Sequence, residues 1–96
     1  MATFISLLNF TDQGIRNIKE SPNRAEAAIA LMSKLGATVK SMHWTAGAYD
    51  MVVISEGTDE AAMTAMLTTA MMGNVRTQTL RAFNAGEMKK IIANMP

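Results

Sequence analysis

The sequence predicts an α+β domain of the ferredoxin-like type, β-α-β-β-α-β with a C-terminal helix, built on a four-stranded antiparallel sheet. The apolar residues follow strand and helix periodicities in this order along the chain. Two right-handed crossovers then put the first and third strands in the centre of the sheet and the second and fourth at its edges. These two central strands are also the ones with apolar residues on both faces, as expected for strands covered on both sides.

The length and composition indicate one domain over residues 1–96, part of whose apolar surface is buried against another copy of the chain. Hydrophobic residues make up 49% of the 96 positions, and ten of them are methionine. A domain of this size buries less than about two-thirds of its unfolded surface, so this apolar content is ample for one small core. The net charge of +1 comes from interspersed positive and negative residues, which gives no basic surface for nucleic acid.

The residue types present exclude several kinds of site. The chain has no cysteine, which excludes disulfides, thiolate catalysis and cysteine-ligated zinc, and fits a cytoplasmic protein. His43 is the single histidine, so one chain cannot build a multi-histidine metal site. The N-terminus lacks a signal-peptide pattern, and no apolar run approaches the roughly 18 residues that span a membrane. We therefore expect no metal, no cofactor and no membrane partner.

The first strand is predicted over residues 3–10, with large apolar side chains on both of its faces. A polar cluster follows it and suits either the rim of a pocket or a turn, and Thr11 is a good cap for a short helical turn over residues 12–19. One face of the strand carries Phe4, Leu8 and Phe10, the other carries Ile5 and Leu7, and the polar cluster is Asn9, Thr11, Asp12 and Gln13.

Ser21 and Pro22 open the first long helix, because serine is a good N-cap and proline suits the first helical position. Asn23 is the alternative cap, and Gly36 is the expected C-terminal stop. The helix presents one apolar stripe toward the sheet. Its members are Ala25, Ala28, Ile29, Met32 and Leu35.

The second strand is predicted over residues 38–45 and is polar enough for a sheet edge. The third returns over residues 49–56, is apolar on both faces, and ends at Gly57. Regular alternation along the second strand puts Val39, Ser41, His43 and Thr45 on one face and Lys40, Met42 and Trp44 on the other.

The turn between these strands sets which side chains share a face. The two-residue loop Gly47-Ala48 is expected, because glycine suits the first position of a type II′ turn. This loop sets Thr45 opposite Asp50 and places His43 on the same face as Asp50. A three-residue loop would instead put His43 on the face of Tyr49.

The second long helix carries no charge from Ala61 to Met72, and a helix that is apolar nearly all round is normally covered on more than one side. Thr58 or Asp59 caps its start. The fourth strand follows over residues 75–83. An amphipathic helix is predicted over residues 85–95, and its apolar residues are expected to face inward: Met88, Ile91, Ile92 and Met95.

Three segments resemble the GYD-domain family, a small bacterial family named for a Gly-x-Tyr-Asp hairpin. They are Ile5 to Arg16, Trp44-Thr45 with Gly47-Ala48-Tyr49-Asp50, and Gly73 to Thr77 with Leu80 to Phe83. One departure is Gly57-Thr58, where the family often has alanine-proline. The resemblance covers nearly the whole chain and implies the dimeric α/β-barrel fold, in which two sheets pack face to face, and hence a homodimer or a larger closed oligomer. Relatives with this fold include cofactor-independent monooxygenases, haem peroxidases and small-ligand-binding regulatory domains, so the resemblance implies no particular reaction.

Tyr49 and Asp50 are the first candidates for chemistry, since a tyrosine donates protons and a neighbouring carboxylate can orient or deprotonate a substrate. Neighbours on a strand point to opposite faces, which favours structural roles, with Asp50 bonded to hairpin backbone or an arginine and Tyr49 covering a sheet edge. His43 is either an acid–base residue or a half-buried hydrogen-bonding residue. Arg81 is expected to form an ion pair, with Asp50 as one partner, or to bind an anionic ligand. With Asn9, these residues form the candidate ligand-binding set.

Two functions are compatible with the sequence. In the first, a homo-oligomer serves as a small-molecule-binding or structural module whose sheets form a shared barrel. In the second, the chain is a small cofactor-independent enzyme, monooxygenase-like or isomerase-like, with its site inside that barrel. The absence of a clustered acid–base set favours the first, whereas a deep cavity lined by the candidate residues would favour the second.

Overall fold

A computed structural model describes residues 1–96 and confirms the α+β ferredoxin-like fold, with the predicted element order. None of its helices combines the length and apolar character that crossing a bilayer requires. The elements are β1 (Ala2–Phe10), α1 (Asp12–Arg16), α2 (Ser21–Lys34), β2 (Thr38–Trp44), β3 (Met51–Gly57), α3 (Asp59–Met71), β4 (Val75–Ala82) and α4 (Ala85–Ala93), with a 3-10 turn over Ile18–Glu20 between α1 and α2.

The four strands form one antiparallel sheet in the order β2-β3-β1-β4, which confirms the predicted arrangement. β1 and β3 lie in the centre, where Leu8 pairs with Met51 on one side and with Thr77 on the other. Because strands alternate their side chains, these three residues lie on one face. A cluster of buried residues forms the core on that face, between the sheet and helices α2 and α3: Leu8, Met51, Val53 and Val75.

The register of the β2–β3 hairpin is the one that the predicted two-residue loop implies, but the strand pairing stops at Trp44 and Met51, so residues 45–50 link the strands. Trp44 pairs with Met51, and the Thr45 N–H donates to the Asp50 carbonyl at 2.8 Å. Gly47 has a φ of 145°, a region that favours glycine. The three-residue alternative is therefore excluded.

The predicted faces of β2 are wrong at its first residues. Val39 pairs with Ser55, whereas Ser41 already pairs with Ile54, and the register shifts between them. A β-bulge inserts one extra residue into a strand and so reverses the alternation at that point. Val39 consequently packs against the core cluster, on the face opposite Ser41.

The helix ends confirm most of the predicted caps. The Thr11 hydroxyl accepts from the Gly14 N–H and the Thr58 hydroxyl accepts from the Ala61 N–H, both at 3.1 Å. Gly36 follows the end of α2 with a φ of 91°.

The prediction that Ser21 caps α2 is wrong. Ser21 is itself helical, with φ −55° and ψ −44°, because the 3-10 turn runs directly into α2. Its buried hydroxyl accepts instead from the Trp44 indole N–H at 3.0 Å, a bond that ties the start of α2 to the end of β2.

The prediction that the last helix faces inward is also wrong. Asn84 caps α4 through a capping box with Glu87, and Glu87 is the one residue of α4 that is not exposed. An apolar stripe needs a surface to cover, and α2 and α3 already cover the helical face of the sheet. The four apolar residues that we call the α4 stripe are therefore exposed in the single chain: Met88, Ile91, Ile92 and Met95.

Gly14→Ala is expected to destabilise the fold, because α1 touches the turn before β4 at this glycine. A Cβ at position 14 would lie 1.9 Å from the Asn74 carbonyl oxygen, and overpacking of this kind costs about 1–3 kcal/mol or more. Chemical denaturation at fixed protein concentration measures the loss. Gly86→Ala is the matched control, since its Cβ would meet nothing closer than 3.4 Å. Equal stability of the two variants would contradict this packing.

Candidate functional site

The sheet face away from α2 and α3, here called the open face, carries three of the five predicted site residues. His43 pairs with Val52 on it, and Asn9 pairs with Arg76 on it. Tyr49 reaches onto it, because the phenol hydroxyl donates to the Gln78 side-chain oxygen at 3.0 Å, crossing β1 to reach β4. The apolar members of the open face are Ile5, Leu7, Val52, Ile54 and Leu80.

Asp50 has a structural role that joins the hairpin to the central strand. Its carboxylate accepts from the Phe10 N–H at 2.9 Å, and its own N–H donates to the Leu8 carbonyl at 2.9 Å. The predicted backbone bond of Asp50 is thus present, made to β1 rather than within the hairpin. Tyr49 and Asp50 therefore engage different partners and do not converge on one ligand.

Arg81 does not form the predicted ion pair with Asp50. It pairs with Phe4 on the helical face, while Asp50 bonds Phe10, and six residues of strand separate these positions by about 20 Å. The guanidinium group lies 4.6 Å from the centre of the Phe83 ring and 5.7 Å from that of Phe4. It donates to the Ala82 carbonyl at 2.6 Å, so its charge is held by aromatic faces and backbone.

The polar cluster after β1 serves turn chemistry. The Thr11 hydroxyl donates to the Gly73 carbonyl at 2.5 Å. The Gln13 amide donates to the Met72 carbonyl at 3.1 Å and to the Asn74 side-chain oxygen at 2.9 Å. These bonds fasten α1 to the α3–β4 turn.

The five predicted residues therefore do not form one site. Three lie on the open face, Asp50 is bonded to backbone, and Arg81 lies at the other end of β1 on the helical face. No group of three His, Cys, Asp or Glu side chains is placed to hold a metal ion. The open face offers a half-polar, half-apolar surface rather than an acid–base centre.

A feature that the sequence analysis missed is an apolar cavity of about 290 Å³ on the helical side of the sheet. The sheet forms one wall of the cavity, and α2 and α3 form the other. The space exists because small residues face it from both helices, Ala25 and Ala28 from α2 and Ala62 and Ala65 from α3.

One wall of the cavity carries hydroxyl groups from the sheet. The Thr79 hydroxyl lies 3.0 Å from the Ser6 hydroxyl and 3.0 Å from the Thr77 hydroxyl. The one charged residue on the lining, Arg24, donates to the Asn17 carbonyl at 2.6 Å and the Gly14 carbonyl at 3.4 Å. The cavity is thus apolar with one neutral polar wall.

Comparisons with known proteins agree with this architecture. A sequence model of the GYD domain matches residues 4–92. The chain is 34% identical over 90 residues to the glutamine synthetase and cystathionine beta-lyase binding protein of Thermus thermophilus, an alignment that covers 92% of this chain and 95% of that protein. The crystal structure of TTHA0845 from Thermus thermophilus is similar, with a TM-score of 0.52 and 25% sequence identity, over 88% of this chain and 96% of that one.

Asp50→Ala is expected to lower the free energy of unfolding by about 1–3 kcal/mol, because the Phe10 N–H loses its acceptor. Tyr49→Phe removes one exposed side-chain bond and is expected to lower it by less than about 1 kcal/mol. Urea denaturation measures both changes. Asp50→Asn is the control, since its amide oxygen still accepts and restores part of the loss. A larger effect of Tyr49→Phe than of Asp50→Ala would contradict these roles.

Proposed function

Because the chain belongs to the GYD domain family, we propose that it is a cytoplasmic, homo-oligomeric binding module that binds both its own copies and partner proteins. The observation that carries this proposal is the apolar surface that a single chain leaves uncovered. Fifteen large hydrophobic side chains are exposed, whereas eight hydrophobic residues form the buried core. Eight of the fifteen lie on the surfaces discussed below: Leu80 on the open face, three on the outer side of α3, and the four members of the α4 stripe. Exposed apolar side chains grouped in this way mark interaction surfaces.

The open face is the proposed contact between two copies. Leu7 lies at its centre between Val52 and Gln78, and Ile5 lies between Ile54 and Leu80. Each large apolar side chain left in water forgoes about 1.5–3 kcal/mol. Two such sheets packed face to face, about 10 Å apart, would bury both copies of this surface at once.

Helix α3 offers a second surface, on its side away from the sheet. Three residues four positions apart form what we call the outer α3 stripe: Met63, Leu67 and Met71. Their exposed fractions are 52%, 56% and 83%. Flexible methionine side chains adapt to varied partner surfaces, and contact along this stripe would join dimers into a larger closed oligomer.

The α4 stripe is the proposed site for partner proteins. Met88, Ile91 and Ile92 stand at positions i, i+3 and i+4 of the helix, and Met95 follows two residues after its end. An amphipathic helix uses such spacing to enter a groove on another protein. Lys89 and Lys90 lie on the polar side. The relative from Thermus thermophilus is named for binding glutamine synthetase and cystathionine beta-lyase, so enzymes of those two kinds are the first partners to test.

The enzyme alternative receives less support from the geometry. A small cofactor-independent enzyme needs a proton donor and acceptor within reach of one bound substrate. Here His43 and Tyr49 lie on the open face, whereas Arg81 lies on the helical face and Asp50 is occupied by backbone. We therefore favour a binding module.

Native mass spectrometry is expected to give a mass of two or more times the 10.4 kDa of one chain at micromolar concentration. Leu80→Lys places a charge on the open face and is expected to yield monomers, while Met71→Asp is expected to reduce the assembly to dimers. Both residues are exposed in the single chain, so the fold itself is not strained. Ala30→Lys, on the exposed side of α2, is the control. A wild-type chain that stays monomeric would contradict the proposal.

Purified glutamine synthetase from the organism that encodes this chain is expected to bind the immobilised oligomer. Ile91→Ser is expected to weaken binding at least about tenfold, since it removes an anchor from the α4 stripe. Lys90→Ser introduces the same residue on the polar side of α4 and is the matched control. It should change the affinity by less than about twofold. Equal effects of the two variants, or no binding of this enzyme or of cystathionine beta-lyase, would overturn the role of α4.

A further inference from the structure

We propose that the cavity between the sheet and helices α2 and α3 binds a neutral, mostly apolar small molecule that carries one hydrogen-bonding group. This site is separate from the proposed protein-binding function. None of the residues that line it belongs to the open face, the outer α3 stripe or the α4 stripe. Success or failure of the two proposals can therefore be told apart.

The size and lining of the cavity suit a small organic ligand. Its volume of about 290 Å³ lies just below the range for drug-sized ligands, about 300–1,000 Å³, which suits a smaller molecule. Sixteen of its 24 lining residues are hydrophobic. Ligand sites bury most of the ligand surface against their lining, so the bulk of the ligand must be apolar. Phe4 and Leu8 lie on the sheet side of the cavity, and Leu31 and Met66 lie on its helical side.

The charged groups around the cavity favour a neutral ligand. Arg24 is the one charged residue on the lining. Its guanidinium group donates to the carbonyls of Asn17 and Gly14, which hold it toward α1. A buried ammonium group needs an anionic partner, and the lining contains none. A carboxylate would have to draw the Arg24 guanidinium away from the two carbonyls, whereas a neutral ligand requires no such change.

The hydroxyl wall supplies the polar contact. Ser6, Thr77 and Thr79 each carry one hydroxyl proton, and the two bonds among them use two of the three. One proton and several lone pairs are left for a group on the ligand. An alcohol or a carbonyl satisfies this wall, and a pure hydrocarbon does not.

The fluorescence of Trp44 reports on ligand binding at the site. It is the single tryptophan, and its indole N–H donates at 3.0 Å to the hydroxyl of Ser21, which lines the cavity. Titration of the intact oligomer with 1-octanol is expected to give a saturable change in Trp44 fluorescence. Octanoate, which has the same chain length with a charge, is expected to bind at least about tenfold more weakly at pH 7.

Two variants test the location. Ala28→Leu fills the cavity from α2 and is expected to abolish the octanol response, whereas Ala30→Leu, on the exposed side of the same helix, should leave it unchanged. Thr79→Val removes the central hydroxyl while keeping the size of the side chain. It is expected to weaken octanol binding about fivefold. The absence of a saturable response in the wild type, or equal binding by the Ala28→Leu and Ala30→Leu variants, would overturn the site. Octanoate binding as tight as octanol binding would overturn the neutral ligand class.

Discussion

The two central strands carry apolar side chains on both faces, and one chain supplies helices for only one of them. Leu8 and Met51 meet under α2 and α3, while Leu7 and Val52 meet on the open face. A sheet with apolar side chains on both faces is normally covered on both. These 96 residues supply no second layer of their own, so the proposed oligomer contact would involve the same central strands that form the core of the fold.

Helix α3 carries apolar side chains on both of its sides. Ala62, Ala65 and Met66 line the cavity toward the sheet, whereas Leu67 and Met71 are exposed. In an ordinary surface helix the large apolar side chains face the core. In α3 the two small residues leave space beneath the helix, and an apolar stripe lies above it.

Local chemistry made much of the fold predictable. Alternating apolar residues predicted the strands, right-handed crossovers predicted their order, and a glycine-led loop predicted the hairpin register at Trp44 and Met51. The bulge near Lys40 and the helical start at Ser21 were missed, because both depend on the backbone of neighbouring segments rather than on residue type. The cavity was missed for a different reason. Alanine is a good helix former anywhere, and only the distance between helix and sheet shows which alanines leave space.

The candidate site residues show the same difference between what residue type predicts and what depends on neighbouring segments. Alternation along a strand gives the face of a side chain, so His43 could be placed on the same face as Ser41. Alternation does not give the position of a residue along the sheet. The predicted Arg81–Asp50 ion pair is wrong because the two residues lie near opposite ends of β1. Helix α3 contributes to both proposed sites, to the cavity on one side and to the oligomer contact on the other. A ligand that changes the distance from α3 to the sheet would also change the surface offered to neighbouring copies, and thermodynamic linkage makes such an effect reciprocal.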